Sequence, residues 1–284
     1  MKFDNVLTRM LGVKYPIVQG AFGPKGMGTS SIAVPVSEAG GLGILTSVSY
    51  NNPDEFQQDI RDAKAKTNKP FAVNFSLFKD RNILDDFHEE YIKIALKEGI
   101  KTIFTSAYDG SGIGQRCKKE GCNWIHKCAT IEHALSTAKK GADAIVIVGL
   151  EGTGFKNPNQ HTTLMNMTAT RRLTDVPLIA AGGIGDARGF VSALAMGAVG
   201  IYMGTAFMAT KEFQTSDVMK NMIVKQDILD AKHRRKVYGM EHGGGHSLAA
   251  NVVTSIPTVK EFIDTIIKES EQILSEFKSW GMLS

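Results

Sequence analysis

Val176-Pro177-Leu178-Ile179-Ala180-Ala181-Gly182-Gly183-Ile184-Gly185 and, one segment later, Ala198-Val199-Gly200-Ile201-Tyr202-Met203-Gly204-Thr205 share one plan. Each is an apolar run of strand length that ends directly in glycine. Residues 186–196 between them read as a helix. Glycine turns after two successive parallel strands let backbone N–H groups converge on a phosphate, because no Cβ blocks the approach. In a (β/α)8 barrel the loops after the seventh and eighth strands form such a site. The pair therefore points to an α/β chain of TIM-barrel type that binds a phosphorylated group.

The rest of the chain supports that reading. Strands are expected at 16–19, 43–46, 71–75, 102–105, 123–128, 144–148, 178–181 and 199–203, with helices between them at 30–39, 53–64, 87–98, 112–120, 131–140, 164–173 and 186–196. A last helix is expected over 258–277, capped by Thr258. Strand followed by helix, repeated, implies a parallel sheet with right-handed crossovers. The segment 207–256 is more than a minimal barrel needs. Its helical run 216–230 and Gly-rich 238–246 suggest a helical cap or lid inserted after the eighth strand. The expected division is a barrel formed by 1–206 and 257–284, with 207–256 as the cap.

Bulk composition excludes several classes. The 284 residues are 43% hydrophobic and 22% charged, which is globular composition. The net charge is +4, and the densest basic run, Lys232-His233-Arg234-Arg235-Lys236, reads as a solvated helix face or loop. No nucleic-acid motif accompanies it. The N-terminus carries charge where a signal peptide would need an apolar core, and no apolar run approaches a membrane span. Three cysteines without a disulfide framework suit a reducing cytosol. A cytoplasmic protein with no membrane or nucleic-acid partner is expected.

Cys117, Cys122, His126 and Cys128 raise the question of zinc. Their spacing, C-x4-C-x3-H-x-C, matches no standard template. A strand over 123–128 would point His126 and Cys128 to one face and Lys127 to the other. The expectation is two buried thiols, one exposed thiol, a histidine at a strand end and no metal.

Barrel active sites lie at the C-terminal ends of the strands. There the sequence places Gln19-Gly20-Ala21-Phe22-Gly23, Asn74, Ser106-Ala107-Tyr108, Lys127 and Glu151-Gly152-Thr153-Gly154-Phe155. Small residues after the first strand let a flat ring approach the backbone. A lysine and an amide at strand ends suit the polar edge of a flavin, which gains negative charge on reduction.

Tyr15-Pro16-Ile17-Val18-Gln19-Gly20-Ala21-Phe22 and Ala33-Val34-Pro35-Val36-Ser37-Glu38-Ala39-Gly40-Gly41-Leu42-Gly43 resemble the opening of the nitronate monooxygenase (2-nitropropane dioxygenase) family. His126-Lys127-Cys128-Ala129-Thr130, Gly141-Ala142-Asp143-Ala144 and the stretch 181–207 resemble it too. The same superfamily includes flavin-type enoyl-acyl carrier protein reductases and NADH:quinone reductases. The resemblance implies an FMN-binding TIM barrel. Gly182, Gly183, Gly204 and Thr205 would hold the FMN phosphate, with Met203 beside them. Gly20, Ala21, Phe22, Asn74 and Lys127 would contact the ring or ribityl chain. Glu151 matches the acidic residue opening the motif after the sixth strand, where the family reads Glu-X-Gly-Gly-His or Glu-X-Ala-Gly-His. Here Phe155 stands at the position of that histidine.

The expected activity is that of an FMN-dependent oxidoreductase, either oxidising alkyl nitronates or running on NADH or NADPH. Lys127, Glu151 and His161 are the candidate catalytic residues, with His242 and His246 as other histidines on neighbouring loops. An NAD(P)H-dependent enoyl-thioester or quinone reductase is the alternative. A non-redox barrel using Lys127 as a Schiff-base lysine, or a flavin binder without turnover, are further ones. The substrate would be a small molecule or acyl-linked, and a homodimer is left open.

Overall fold

Alternation along the strands builds the architecture. The computed structural model describes residues 3–23, 25–77, 86–157, 159–240 and 245–282. Eight strands, β1 (Ile17–Gln19), β2 (Gly43–Thr46), β3 (Phe71–Ser76), β4 (Thr102–Ser106), β5 (Asn123–Cys128), β6 (Ala144–Val148), β7 (Leu178–Ala181) and β8 (Gly200–Met203), form one parallel sheet in the order β1-β8-β7-β6-β5-β4-β3-β2. One set of side chains, including Val18, Ile44, Phe104, Ile125, Val146 and Ile179, fills the inside. The other set packs outward against the helices. Both faces are buried, so the strands are apolar throughout.

The seam between β1 and β2 closes the barrel. Val18 bridges Leu42, and the buried Gln19 amide reaches across. Its Nε2 donates to the Ile44 carbonyl at 3.3 Å, and the Ile44 N–H donates to its Oε1 at 2.9 Å. A side-chain amide thus stands in for a ladder rung where the strands diverge.

The surrounding helices are α1 (Val6–Leu11), α2 (Ser30–Glu38), α3 (Pro53–Lys66), α4 (Asp86–Lys97), α5 (Ser111–Lys119), α6 (Ile131–Lys139), α7 (Thr163–Leu173), α8 (Ala187–Ala195), α9 (Thr205–Met208), α10 (Asp217–Val224), α11 (Ala231–Gly239) and α12 (Val259–Ser279). Their ends follow local chemistry. Thr130 caps α6 through the His133 N–H, and Thr258 and Glu261 form a reciprocal capping box on α12. The buried stripe Val259, Ile263, Ile266 and Ile273 docks α12. No helix among the described residues is long and apolar enough to cross a membrane.

The structure corrects the sequence reading in three places. An N-terminal helix, α1, was not anticipated; Asn5 caps it, and Leu7 and Leu11 join the inner core. The run 216–230 is not one helix: α10 ends at Val224, and Asp230 caps a new helix, α11, by accepting from the Lys232 and His233 N–H groups. All three cysteines are buried, including the one expected to be exposed.

Tight packing of α5 on β5 gives a direct test. A Cβ at Gly114 would lie 2.0 Å from Trp124 Cδ2, and Trp124 is fully buried. Gly114→Ala is therefore expected to lower stability by about 1–3 kcal/mol, as overpacking does. Thermal unfolding measures it, and an unchanged Tm would contradict this contact.

Candidate active site

The C-terminal ends of the strands surround a cavity of about 760 Å³, within the usual range of ligand sites. One side is bare backbone. β7 runs into Gly182 and Gly183, whose φ angles of +97° and +74° lie in the left-handed region that favours glycine. Side chains are also excluded sterically: a Cβ on Gly183 would lie 2.9 Å from Glu151 Cβ, and one on Gly20 would lie 2.9 Å from Gly204 Cα. β8 runs into Gly204, which precedes the short helix α9 beginning at Thr205. A short extra helix after the eighth strand is the usual companion of a barrel phosphate site.

The polar group across the cavity comes from adjacent strands. Ser76 pairs in register with Ser106, and Ser106 with Lys127, so the three stand in a row at the tops of β3, β4 and β5. All three line the cavity. Lys127 is half-buried, and no carboxylate pairs with it among the described residues. The surrounding walls desolvate its ammonium and bring its pKa down to about 8. Tyr202 lines the same space. Its hydroxyl accepts the Ala21 N–H at 2.5 Å, and burial raises its pKa, so it stays a phenol. The remaining wall is apolar, with Phe22, Met27, Phe155, Met208 and Met219.

The residues singled out by sequence divide into two groups. Gly20, Ala21, Phe22, Lys127, Gly182, Gly183, Met203, Gly204 and Thr205 all line the cavity, and so does Phe155. Asn74 is buried below the rim, where its Nδ2 donates to Ser76 Oγ at 3.0 Å. The Glu151 carboxylate is turned to α7: Oε2 accepts from the Thr163 N–H at 2.8 Å and from its hydroxyl at 3.0 Å. His161 is exposed and does not line the cavity. His246 stacks on His233 and bonds to Gln226. His242 lies outside the described residues.

Sequence reasoning placed Ser106 at a strand end but missed Ser76, Tyr202 and the three methionines. Strand alternation carried a signal for Tyr202, which sits two residues beyond inward-facing Gly200. The methionines come from separate segments that only the folded chain brings together.

Comparisons with known proteins agree with the barrel fold and show the family. The sequence profile of the family described as Nitronate monooxygenase matches residues 4–262. A Rhodococcus jostii protein named (3aS,4S,5R,7aS)-5-hydroxy-7a-methyl-1-oxo-octahydro-1H-indene-4-carboxyl-CoA dehydrogenase is 32% identical over 84% of this chain, which spans 64% of that protein's length. A probable nitronate monooxygenase of Staphylococcus aureus is 27% identical over 80% of this chain and 74% of its own. The structure of FabK from Thermotoga maritima superposes with a TM-score of 0.84 at 27% identity, covering 96% of this chain and 98% of that one. With the profile spanning nearly the whole barrel, the chain belongs to the nitronate monooxygenase family.

Proposed function

We propose that the chain is an FMN-dependent oxidoreductase. The observation that carries this reading is one cavity that joins glycine turns after β7 and β8 to a desolvated, unpaired lysine across from them. The family is one of flavoenzymes. The residues fit the group. Gly182, Gly183, Gly204 and Thr205 leave the backbone open to a phosphate, and Gly20 and Ala21 leave room for a flat ring. Ser76, Ser106 and Lys127 offer donors to a polar ring edge.

A bound flavin supplies hydride transfer at its ring nitrogen N5. The protein's own part is electrostatic and steric. The Lys127 ammonium would favour negative charge at the carbonyl edge of a bound ring. Tyr202 fixes the Ala21 N–H, and with it the chain at the ring's approach. Residues 207–256 act as the cap, with Met208, Met219, Gly245 and Ser247 completing the wall that excludes water.

Phe155 decides between substrates. A phenyl ring accepts no proton, so the substrate either arrives ionised, as a nitronate does, or needs none removed. The second case is reduction of an enoyl thioester with NADH or NADPH, and the CoA thioester in the Rhodococcus relative's name supports that alternative.

Heat release and chromatography of the bound cofactor test the reading. FMN is expected; FAD, or no flavin, would overturn it. Under argon, NADH, NADPH or a nitronate should bleach the flavin band, and a failure of all three would reject the oxidoreductase assignment.

Lys127→Met separates an electrostatic from a structural role. It is expected to leave the Tm near wild type and to slow anaerobic flavin reduction by roughly 10²-fold, the lower end for one preorganised charge donor. A fall in Tm with unchanged reduction kinetics would assign Lys127 to stability instead.

A further inference from the structure

On the outer face of β5, behind Lys127, three metal-binding side chains meet. His126, Cys128 and His133 bring donor atoms within 4.8 Å of one another in the layer between β5 and α6. His126 and Cys128 are buried and His133 is half-buried. We infer that these three residues form a site for one soft monovalent cation of the Cu(I) type.

The elements hold the donors rigidly. His126 and Cys128 alternate on one strand, and His133 stands in the capped first turn of α6. The two Nε2 atoms are 3.1 Å apart. Nitrogens held at about 2.0–2.1 Å from one ion lie roughly 3.2–3.6 Å apart at trigonal or tetrahedral angles, so the rings need move only a few tenths of an ångström. The thiol must swing in further, and its hydrogen-bond partner among the described residues is the Thr137 hydroxyl, at 3.6 Å.

The hydrogen bonds define what the ion replaces. Trp124 Nε1 is donor only, so Thr105 Oγ1 accepts from it at 2.8 Å. The same Oγ1 shares a hydrogen bond with His126 Nδ1 at 2.6 Å. His126 Nε2 in turn shares a proton with His133 Nε2 at 3.1 Å. Without an ion, one proton joins the two rings. With it, His126 carries its proton on Nδ1 and the Thr105 hydroxyl accepts it, as a supporting shell does.

Charge and coordination number select the ion. The group has one thiol and two imidazoles, and no fourth histidine, cysteine, aspartate or glutamate joins it among the described residues. Binding releases the Cys128 proton and moves no electron, so a monovalent cation with one thiolate leaves the layer uncharged. A divalent ion would leave a buried positive charge and lack a fourth ligand, both unfavourable. Thiolate and imidazole together suit soft d10 ions. Cys117 and Cys122 do not belong to the group: Cys117 lies in a separate apolar cluster, and Cys122 bonds to the Ile100 carbonyl.

The test uses the purified flavin-loaded protein and Ag(I) as a redox-inert probe. One silver should remain per chain after desalting, with one proton released per ion. Cys128→Ser and His133→Gln should each weaken retention by roughly 100-fold or more, as loss of one of three ligands would. The half-buried His133 makes the second variant the safer one to fold, and Tm checks both. No retained silver, or retention unchanged in Cys128→Ser, would overturn the site. Tighter binding of Co(II), with tetrahedral d–d absorption, would overturn its monovalent character.

Discussion

Gly183→Asp is expected to strip the protein of its flavin while leaving it folded. The residue has φ +74°, where an L side chain costs about 1–2 kcal/mol. Its Cβ would also meet Glu151 Cβ at 2.9 Å, so the turn must shift. The new carboxylate would face a phosphate dianion at a site whose attraction rests on backbone N–H groups. Losing such charge-assisted hydrogen bonds costs about 1.5–3 kcal/mol more. Together these predict a fall in flavin affinity of roughly 10²- to 10³-fold. Gly183→Ala carries the strain without the charge and should fall less. Flavin content per chain and Tm, measured side by side, check the result. A folded Gly183→Asp protein with wild-type flavin content would refute the phosphate assignment.

That prediction rests on residues legible in the sequence, and the reason is physical. Gly182, Gly183 and Gly204 interrupt apolar runs at the ends of strands, and a backbone-lined site requires that pattern. The same holds for the strands: 144–148 and 178–181 end where the apolar runs end. What the sequence hid is what distant segments decide together. Glu151 looks like a site carboxylate until α7 presents the Thr163 N–H to it. Asn74 reads as a strand-end amide, yet the extra strand residue Ser76 takes the rim position. His133 falls outside the cysteine-rich stretch 117–128 that raised the question of zinc. Only the turn from β5 into α6 brings it to His126. The run 216–230 looks continuously helical, yet α10 stops at Val224, and Asp230, the last residue of that run, caps α11 instead.

Phe155→His is expected to raise activity on neutral nitroalkanes selectively, by roughly 10²–10⁴-fold, the range of a positioned general base. The wild type should use ionised nitronates at best, since a neutral nitroalkane must first lose a carbon-bound proton. The structure puts position 155 at the cavity. Phe155 already lines the cavity, edge-on to Tyr108 with ring centroids 5.8 Å apart. Gly154, at φ +90°, turns the chain just before it. Just after it, buried Lys156 pins the loop, its Nζ donating to the Leu150 carbonyl at 2.8 Å and to the Val237 carbonyl of α11. A loop pinned directly after position 155 has less freedom to turn a new side chain away. Activity on ionised nitronates should change little, because that route needs no base. The ratio of kcat/KM on the neutral and ionised forms of one nitroalkane reads the effect. Strong wild-type activity on the neutral form would mean that another group removes the proton. An unchanged ratio in a folded Phe155→His protein would mean that position 155 does not face the reacting carbon.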